Sequence, residues 1–492
     1  MNEFLPLLLV FLPFVPALIS FALPERMAVW RDVINISFAL AKLALVGFLL
    51  LSVEDGVTTE WRYEFLQGHD FILRTDAFAL LFITLSAFLW LIATVYAIAY
   101  FGRGPHLARF FGFFNLCVLA ATGVAMSGTA ITFFVFYELL TLATWPLVVH
   151  KGDEKSLRAG RIYLIYTLAG SAAYLAGIVW LKSHVGTIEF AAPPDLSGIP
   201  RLELTLIFIL CIGGLGVKAA LIPFHGWLPE AMAAPAPVSA LLHAVAVVKA
   251  GAFGILRMIY DVYGIDTVSD LGLGPPLAVL AAATILYGSF RALMQTDIKK
   301  RLAYSTVSQV SYIILGASLI GPFAMIGGLV HLVHQGIMKI TLFMCAGALA
   351  NRMGIKAVAD LDGAGRMMPV TMAAFSVGAL GMIGIPPSAG FISKWYLGLG
   401  GLQSDARWVV AVLAGSSLLN ALYFLPLLYR AWLLAPSQSH APVRELDGAW
   451  NRMLVLPAAI TALTVLVAGL FAAFPFSPLS WVILIAERGY LK

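Results

Sequence analysis

Apolar runs of about 20 residues recur from one end of this chain to the other, each long enough to cross a hydrocarbon core ~30 Å thick. Nothing else in the sequence constrains the fold as strongly. Lipid offers no partner to a bare backbone, so a crossing segment must satisfy its own amides, and a helix does so. A membrane β-barrel is excluded, because its strands would read as ~10-residue segments of alternating polarity. Of the 492 residues, 61% are hydrophobic and 12% charged, against roughly 25% charged in a soluble chain. The mean hydropathy is +0.91. The expected fold is an all-α polytopic membrane protein forming a single membrane domain over 1–492.

Fourteen candidate spans lie at 4–22, 30–52, 75–100, 109–127, 129–149, 161–182, 203–222, 236–262, 273–294, 300–320, 322–350, 368–402, 407–434 and 452–474. The opening MNEFLPLLLVFLPF has no basic flank or cleavage site and reads as the first span rather than a signal peptide. The runs at 322–350 and 368–402 are too long for simple spans, and interruption is expected in both. The second contains Pro386-Pro387, and proline removes a donor and clashes with the preceding turn.

Loops after odd-numbered spans hold 18 of the 31 Lys and Arg residues, the opposite loops hold 8, and 5 fall inside spans. Cytoplasmic loops are the basic ones, which puts both termini outside the cytoplasm of a cell inner (plasma) membrane. Val53 to Arg74 reads as an external loop, carrying Glu54, Asp55, Glu60, Glu64 and Asp70. The net charge of +5 is spread along short loops, so no nucleic-acid partner is expected. Spans four to eight (109–262) and nine to thirteen (273–434) could each form a five-helix unit. An odd helix number would invert the second unit relative to the first.

The five basic residues inside spans are Lys42, Lys218, Lys249, Lys339 and Lys394, and Glu138 is a sixth buried charge. Each lysine near the bilayer centre costs roughly 2.5–3.5 kcal/mol on insertion scales, so five cost as much as an ordinary domain's whole stability. An amine can escape that cost by losing its proton, whereas Arg stays charged. Lys at all five positions therefore favours titration over static pairing. His331 and His334 share a helix face, with Lys339 near it one to two turns on. His243 precedes Lys249 by six, so the two share a path only through a kink or bridging water.

Static roles remain open beside these: Glu138 as a fixed counter-ion for Lys218, and the histidines as bonds bracing a broken helix. Lys42 lies outside both units and reads as a contact to a neighbouring subunit. His225 in FHGWLPE reads as interfacial, and Asp76 as orienting a helix end. Cys117, Cys211 and Cys345 lie in apolar runs without metal-ligand spacing and read as packing residues, so no metal or cofactor is expected. No P-loop, nucleotide-binding glycine fingerprint or HExxH motif is present. The chain thus shows no catalytic centre of its own, and would count as a translocase only within a redox complex.

Five stretches resemble one superfamily: the antiporter-like subunits of respiratory complex I, Mrp cation/proton antiporters and membrane-bound hydrogenases. They are FYELLTLATWPLV at 136–148, VKAALIPFHGWLPEAMAAPAPVSALLHAVAVVKAGAFGILR at 217–257, DIKKRLAYSTVSQ at 297–309, HLVHQGIMKITLFMCAGAL at 331–349 and GIPPSAGFISKWY at 384–396. The resemblance covers about spans three to thirteen. It implies about 14 transmembrane helices, two inverted five-helix repeats, and discontinuous seventh and twelfth helices. It also implies a Glu138–Lys218 ion pair, Lys249 as central relay with His243 beside it, and a polar axis through His331, His334 and Lys339. Lys394 would be the terminal protonatable group.

Position 394 is Lys where one complex I subunit has Glu, which disfavours that subunit. The sequence ends soon after span fourteen, and the short apolar stretch at 476–486 cannot replace the long lateral helix of another. Arg301 stands where the family usually has a small or apolar residue, and 228–251 is closer to Mrp and hydrogenase subunits. The expected function is proton translocation within a multisubunit membrane complex, coupled to monovalent cation exchange as in Mrp. Its expected partners are other integral membrane subunits, H+, and Na+ or K+. The alternatives are a proton-pumping subunit of a redox complex, a stand-alone solute carrier, and a structural subunit whose buried charges only specify packing.

Overall fold

A computed structural model of the chain describes residues 2–54, 58–66, 69–436 and 444–489. Asp55 of the acidic segment and Lys492 of the basic count lie outside these residues. Two short helices, α1 (Leu5–Phe11) and α2 (Phe14–Ala22), are followed by α3 (Ala28–Glu54) and by a hairpin of β1 (Thr59–Leu66) and β2 (His69–Thr75). Then come α4 (Ala77–Phe101), α5 (Leu107–Met126), α6 (Ala130–Val148), α7 (Glu154–Val185) and α8 (Arg201–Lys218). The chain next breaks into α9 (Trp227–Glu230), α10 (Ala236–Ala244), α11 (Val247–Arg257), a π turn at Met258–Tyr263 and α12 (Ile265–Asp270). Continuous helices resume with α13 (Gly274–Leu293), α14 (Ile298–Ser318) and α15 (Pro322–Met353). The last elements are α16 (Ala364–Met367), α17 (Pro369–Ile383), α18 (Ala389–Gln403), α19 (Trp408–Leu433), α20 (Gly448–Leu470) and α21 (Pro478–Gly489).

Eleven helical stretches among the described residues are long and apolar enough to cross a membrane. The chain is a multi-pass membrane protein. The most apolar windows of α15 and of Ala236–Tyr263 are wholly enclosed by protein, whereas that of α3 is 28% buried and that of α19 33%. The two central stretches carry His243, Lys249, His331, His334 and Lys339, so these side chains do not face lipid.

Helix starts follow local chemistry. Asp76, Thr129, Asp153 and Asp297 each accept a backbone N–H of the first turn, at the heads of α4, α6, α7 and α14. The head of α17 is served from a distance: the Glu445 carboxylate accepts Val370 N at 2.7 Å and Thr371 N at 3.0 Å. An anion at a helix N-terminus answers both the open donors and the helix dipole. Glu445→Ala is expected to destabilise the protein by about 1–2 kcal/mol, read as a lower thermal midpoint in detergent.

The sequence expectations meet three corrections. The run at 322–350 is not interrupted: α15 is one 32-residue helix. Pro322 sits in its first turn, where the missing N–H would have had no partner anyway. The seventh run ends at Lys218, short of the expected 222. The segment expected as a loop instead folds over Thr59–Thr75 as a hairpin whose charges pair with one another and with Glu189. Arg62 meets Glu60 at 3.1 Å, Asp70 at 2.7 Å and Glu189 at 3.1 Å, and Arg74 pairs with Glu60. The expected break in the twelfth run is present between α17 and α18, at Gly384–Ser388. The stretch at 476–486 lies largely in α21, anchored by Trp481 Nε1 donating to Ala77 O at 2.9 Å.

Candidate proton-conducting row

Lys218 is the last residue of α8, and its buried amine lies 3.8 Å from Glu138 Oε1 on α6. Each partner also has its own anchors. Lys218 donates to Tyr137 O and sits 3.2 Å from the Tyr137 ring centroid, and a π face attracts a cation. Glu138 accepts from Ser171 and, at 3.4 Å, from Thr141 Oγ1, and its side chain is 20% exposed. The pair can therefore open without leaving either charge bare. Close helix approach makes the meeting possible. A Cβ on Gly214 would stand 2.5 Å from Gly170 O, and one on Gly251 would stand 2.9 Å from the Lys218 carbonyl carbon.

α11, which packs on α8 through Gly251, also carries Lys249, two residues earlier and so on a nearly opposite face of the helix. The Lys249 amine is buried and has no hydrogen-bond partner among the described residues. A buried ammonium without a partner is costly, and neutralisation or hydration is the remedy. Lys249 is close enough to both Lys339 and His331 for their charges to interact. A kink does separate α10 from α11, at Val245–Ala246. Yet His243 turns elsewhere: it stacks on Phe343 at 4.5 Å, and its charged neighbours are Lys339 and Lys299.

On α15, His331 Nδ1 lies 2.8 Å from Ser393 Oγ, and the His331 and Tyr312 rings are 5.1 Å apart. His331 Nε2, both nitrogens of His334, and the amides of Gln309 and Gln335 have no protein partner among the described residues. Lys339 donates to Ser305 Oγ at 2.7 Å and to Leu302 O at 3.2 Å. Lys394, on α18, reaches back across the break to Met382 O at 3.0 Å, Ile383 O at 2.8 Å and Ser417 Oγ at 2.9 Å. It thus places an ammonium at the C-terminal end of α17, where the helix dipole favours a cation. Gly384 turns the chain there with φ +91°, a conformation that suits glycine.

Of the residues singled out for the row, Lys218, His243, Lys249, His331, His334 and Lys339 are fully buried, whereas Glu138 and Lys394 are partly exposed. Lys42 is a correction. It is fully buried, donates to Thr122 and sits 5.5 Å from the Trp90 ring, so this chain encloses it and no neighbouring subunit touches it directly. Asp76 does orient a helix end, and it also pairs with Arg257 at 2.9 Å. His225 is partly buried against Tyr287. Arg301 fits where a smaller residue was expected, by donating to Gln295 O just past the end of α13 and to Tyr423 O on α19.

Sequence reasoning missed Ser305, Tyr423 and Asn420. Tyr423 Oη is 2.7 Å from both Ser305 Oγ and Asn420 Oδ1, and Asn420 Nδ2 donates to Met382 O at 3.0 Å. The one available hint was the density of hydroxyls and amides in an otherwise apolar α14 (YSTVSQVSY, 304–312).

An enclosed row of ionisable groups inside a multi-pass helical bundle defines an antiporter-like membrane protein. The chain belongs to the family described as NADH:quinone oxidoreductase/Mrp antiporter, transmembrane, which residues 127–420 match. It is 37% identical, over 96% of each chain, to NADH-quinone oxidoreductase subunit N of Desulforudis audaxviator. Hydrogenase-4 component B of Escherichia coli is 31% identical, across 81% of this chain and 62% of that one. An Na(+)/H(+) antiporter subunit of Alkalihalophilus pseudofirmus is 25% identical over 94% of both. The fold is shared with a chain of the Mrp complex from Dietzia sp., at a TM-score of 0.85 and 23% identity across 98% of this chain and 97% of that one. A chain of the membrane-bound sulfane sulfur reductase gives 0.86 and 24% across 98% of both.

Proposed function

We propose that the chain moves protons along Glu138, Lys218, Lys249, the His331/His334/Lys339 cluster and Lys394, as one subunit of a larger membrane complex. His243 would tune Lys339 rather than assist Lys249. The carrying observation is the loosely closed Glu138–Lys218 pair, each partner separately anchored, together with the Lys249 amine, unpartnered among the described residues, on the helix that packs against α8. A proton arriving at Lys249 raises the positive charge near Lys218 and weakens Lys218's claim on its own proton or on Glu138. Loss of that proton restores it. Like-charge repulsion then passes the change through Lys339 to Lys394. The same reading takes 109–262 and 273–434 as inverted repeats, counts fourteen crossings, and places both termini outside the cytoplasm of a plasma membrane.

Coupling to Na+ or K+ exchange, as the Mrp relatives' names describe, is the preferred drive, with other integral membrane subunits as partners. A redox-driven pump is the second reading, favoured by the full-length match to a quinone oxidoreductase subunit. The solute carrier fits less well, because the charges form a row rather than one compact site. Glu138→Gln tests the role of the pair. Proton flux by the assembled complex in sealed vesicles should fall roughly tenfold or more, since one pK unit of lost interaction is already tenfold. Wild-type flux in Glu138→Gln combined with Lys218→Met would instead make the pair structural.

A further inference from the structure

We propose that Ser305 and Tyr423 form a reversible hydroxyl relay that communicates the protonation state of Lys339 to Lys394. The inference rests on the proton-conducting reading above and adds to it two uncharged positioning residues on α14 and α19. Tyr423 is fully buried and has one phenolic hydrogen facing two acceptors at the same 2.7 Å, Ser305 Oγ and Asn420 Oδ1. It can serve only one at a time. Ser305 Oγ is in turn 2.7 Å from Lys339 Nζ. At the far end, Asn420 Nδ2 and Lys394 Nζ share one carbonyl, Met382 O, each at 3.0 Å.

Two hydrogen-bond patterns satisfy this chain, and the charge on Lys339 selects between them. As an ammonium, Lys339 has only donors, so it donates to Ser305. Ser305 then turns its own hydrogen to Tyr423 Oη, and Tyr423 donates to Asn420. The Asn420 amide, polarised at its oxygen, donates more strongly to Met382 O. That competes with Lys394 for the same carbonyl and favours release of the Lys394 proton. As a neutral amine, Lys339 offers a lone pair. Ser305 donates to it, Tyr423 donates back to Ser305, and Asn420 Oδ1 loses its 2.7 Å donor and keeps the Ser289 hydroxyl at 3.5 Å. Lys394 as an ammonium then holds Met382 O with less competition.

The hydroxyls only rotate; no proton passes through the Asn420 amide, and none is gained or lost along the relay. The sign matches like-charge repulsion, so one amine charges as the other discharges. The ionisable groups around the relay are Lys339 and His331 from α15, Lys249 from α11 and His243 from α10. Arg301 and Tyr312 from α14 and Lys394 from α18 complete the surroundings. Arg301 Nη1 donates to Tyr423 O at 2.9 Å and fixes the backbone from which the phenol swings.

The test uses the assembled complex in sealed vesicles, with proton flux followed across a pH series by a pH-sensitive dye. The drive is an imposed Na+ or K+ gradient, or quinone-linked electron flow if the wild-type complex answers only to that. Tyr423→Phe and Ser305→Ala are each expected to lower flux roughly fivefold or more, the lower end of ordinary site–site coupling, and to flatten its pH profile. Ser305→Thr keeps the hydroxyl and should pump near the wild-type rate. The double variant should be no worse than the worse single, because the two hydroxyls act in series. Should Tyr423→Phe fail to assemble, the Ser305→Ala and Ser305→Thr pair decides: equal flux in the two overturns the relay. Wild-type flux and pH profile in Tyr423→Phe and Ser305→Ala, with flux lost in Lys394→Ala, would overturn the relay alone. Wild-type flux in Lys394→Ala would instead overturn the proton-conducting reading beneath it.

Discussion

Lys218→Ala is expected to abolish proton movement while leaving the complex assembled. The two halves of that outcome have separate causes. Assembly survives because the substitution removes a buried charge and leaves Glu138 bonded to Ser171 and Thr141, with its side chain still 20% exposed. A buried pair broken in a dry site would cost about 3–5 kcal/mol, but a carboxylate with other donors and some access to water avoids most of that. Transport fails because nothing remains at the end of α8 whose charge can answer Lys249. Lys218→Arg sharpens the test. It keeps a cation that cannot discharge, so it should fail as alanine does if titration is the role, and should pump if a fixed counter-ion is enough. Subunit abundance in the purified complex controls for folding. Normal flux in an assembled Lys218→Ala complex would sink the role assigned to this residue.

Gly390→Val should prevent the folded protein from accumulating. A Cβ at position 390 would stand 1.9 Å from Gly381 O, so any side chain drives α17 and α18 apart at the break. The nearest obstacle is the Gly381 backbone, which cannot yield as the Met338 side chain at 3.2 Å could. Overpacking of this kind costs about 3 kcal/mol or more. It also shifts the carbonyls of Met382 and Ile383 that hold Lys394. Gly398→Ala on the same helix is the control, since its nearest new neighbour would be Leu413 Cδ1 at 3.9 Å. Protein yield from membranes and the thermal midpoint in detergent distinguish the two. Equal yields would mean that the crossing is not close-packed.

The helices were readable because the bilayer leaves a chain few choices: a long apolar run must be helical, and Pro386-Pro387 announced the gap between α17 and α18. The kink between α10 and α11 was not readable, because Val245 and Ala246 carry no local signal and the bend is set by what packs around them. Nor was the continuity of α15, where length alone suggested a break and the position of Pro322 decides otherwise. In the row, the charged members stood out against apolar neighbours. Tyr423, Ser305 and Asn420 did not, because an uncharged polar residue in a span is ordinary until distances show what it touches. The direction of His243 was hidden for the same reason: sequence gives its spacing from Lys249, and the kink redirects it.

α15 has one further consequence. An uninterrupted helix of 32 residues rises about 48 Å at 1.5 Å per residue and, being enclosed by protein, has little freedom to bend. It therefore serves as a stiff mast, and whatever displacement accompanies charge transfer must be taken up by the jointed stretches on either side. A spin label on α15 should consequently stay still through the transport cycle, while labels on α10 and α18 move against it.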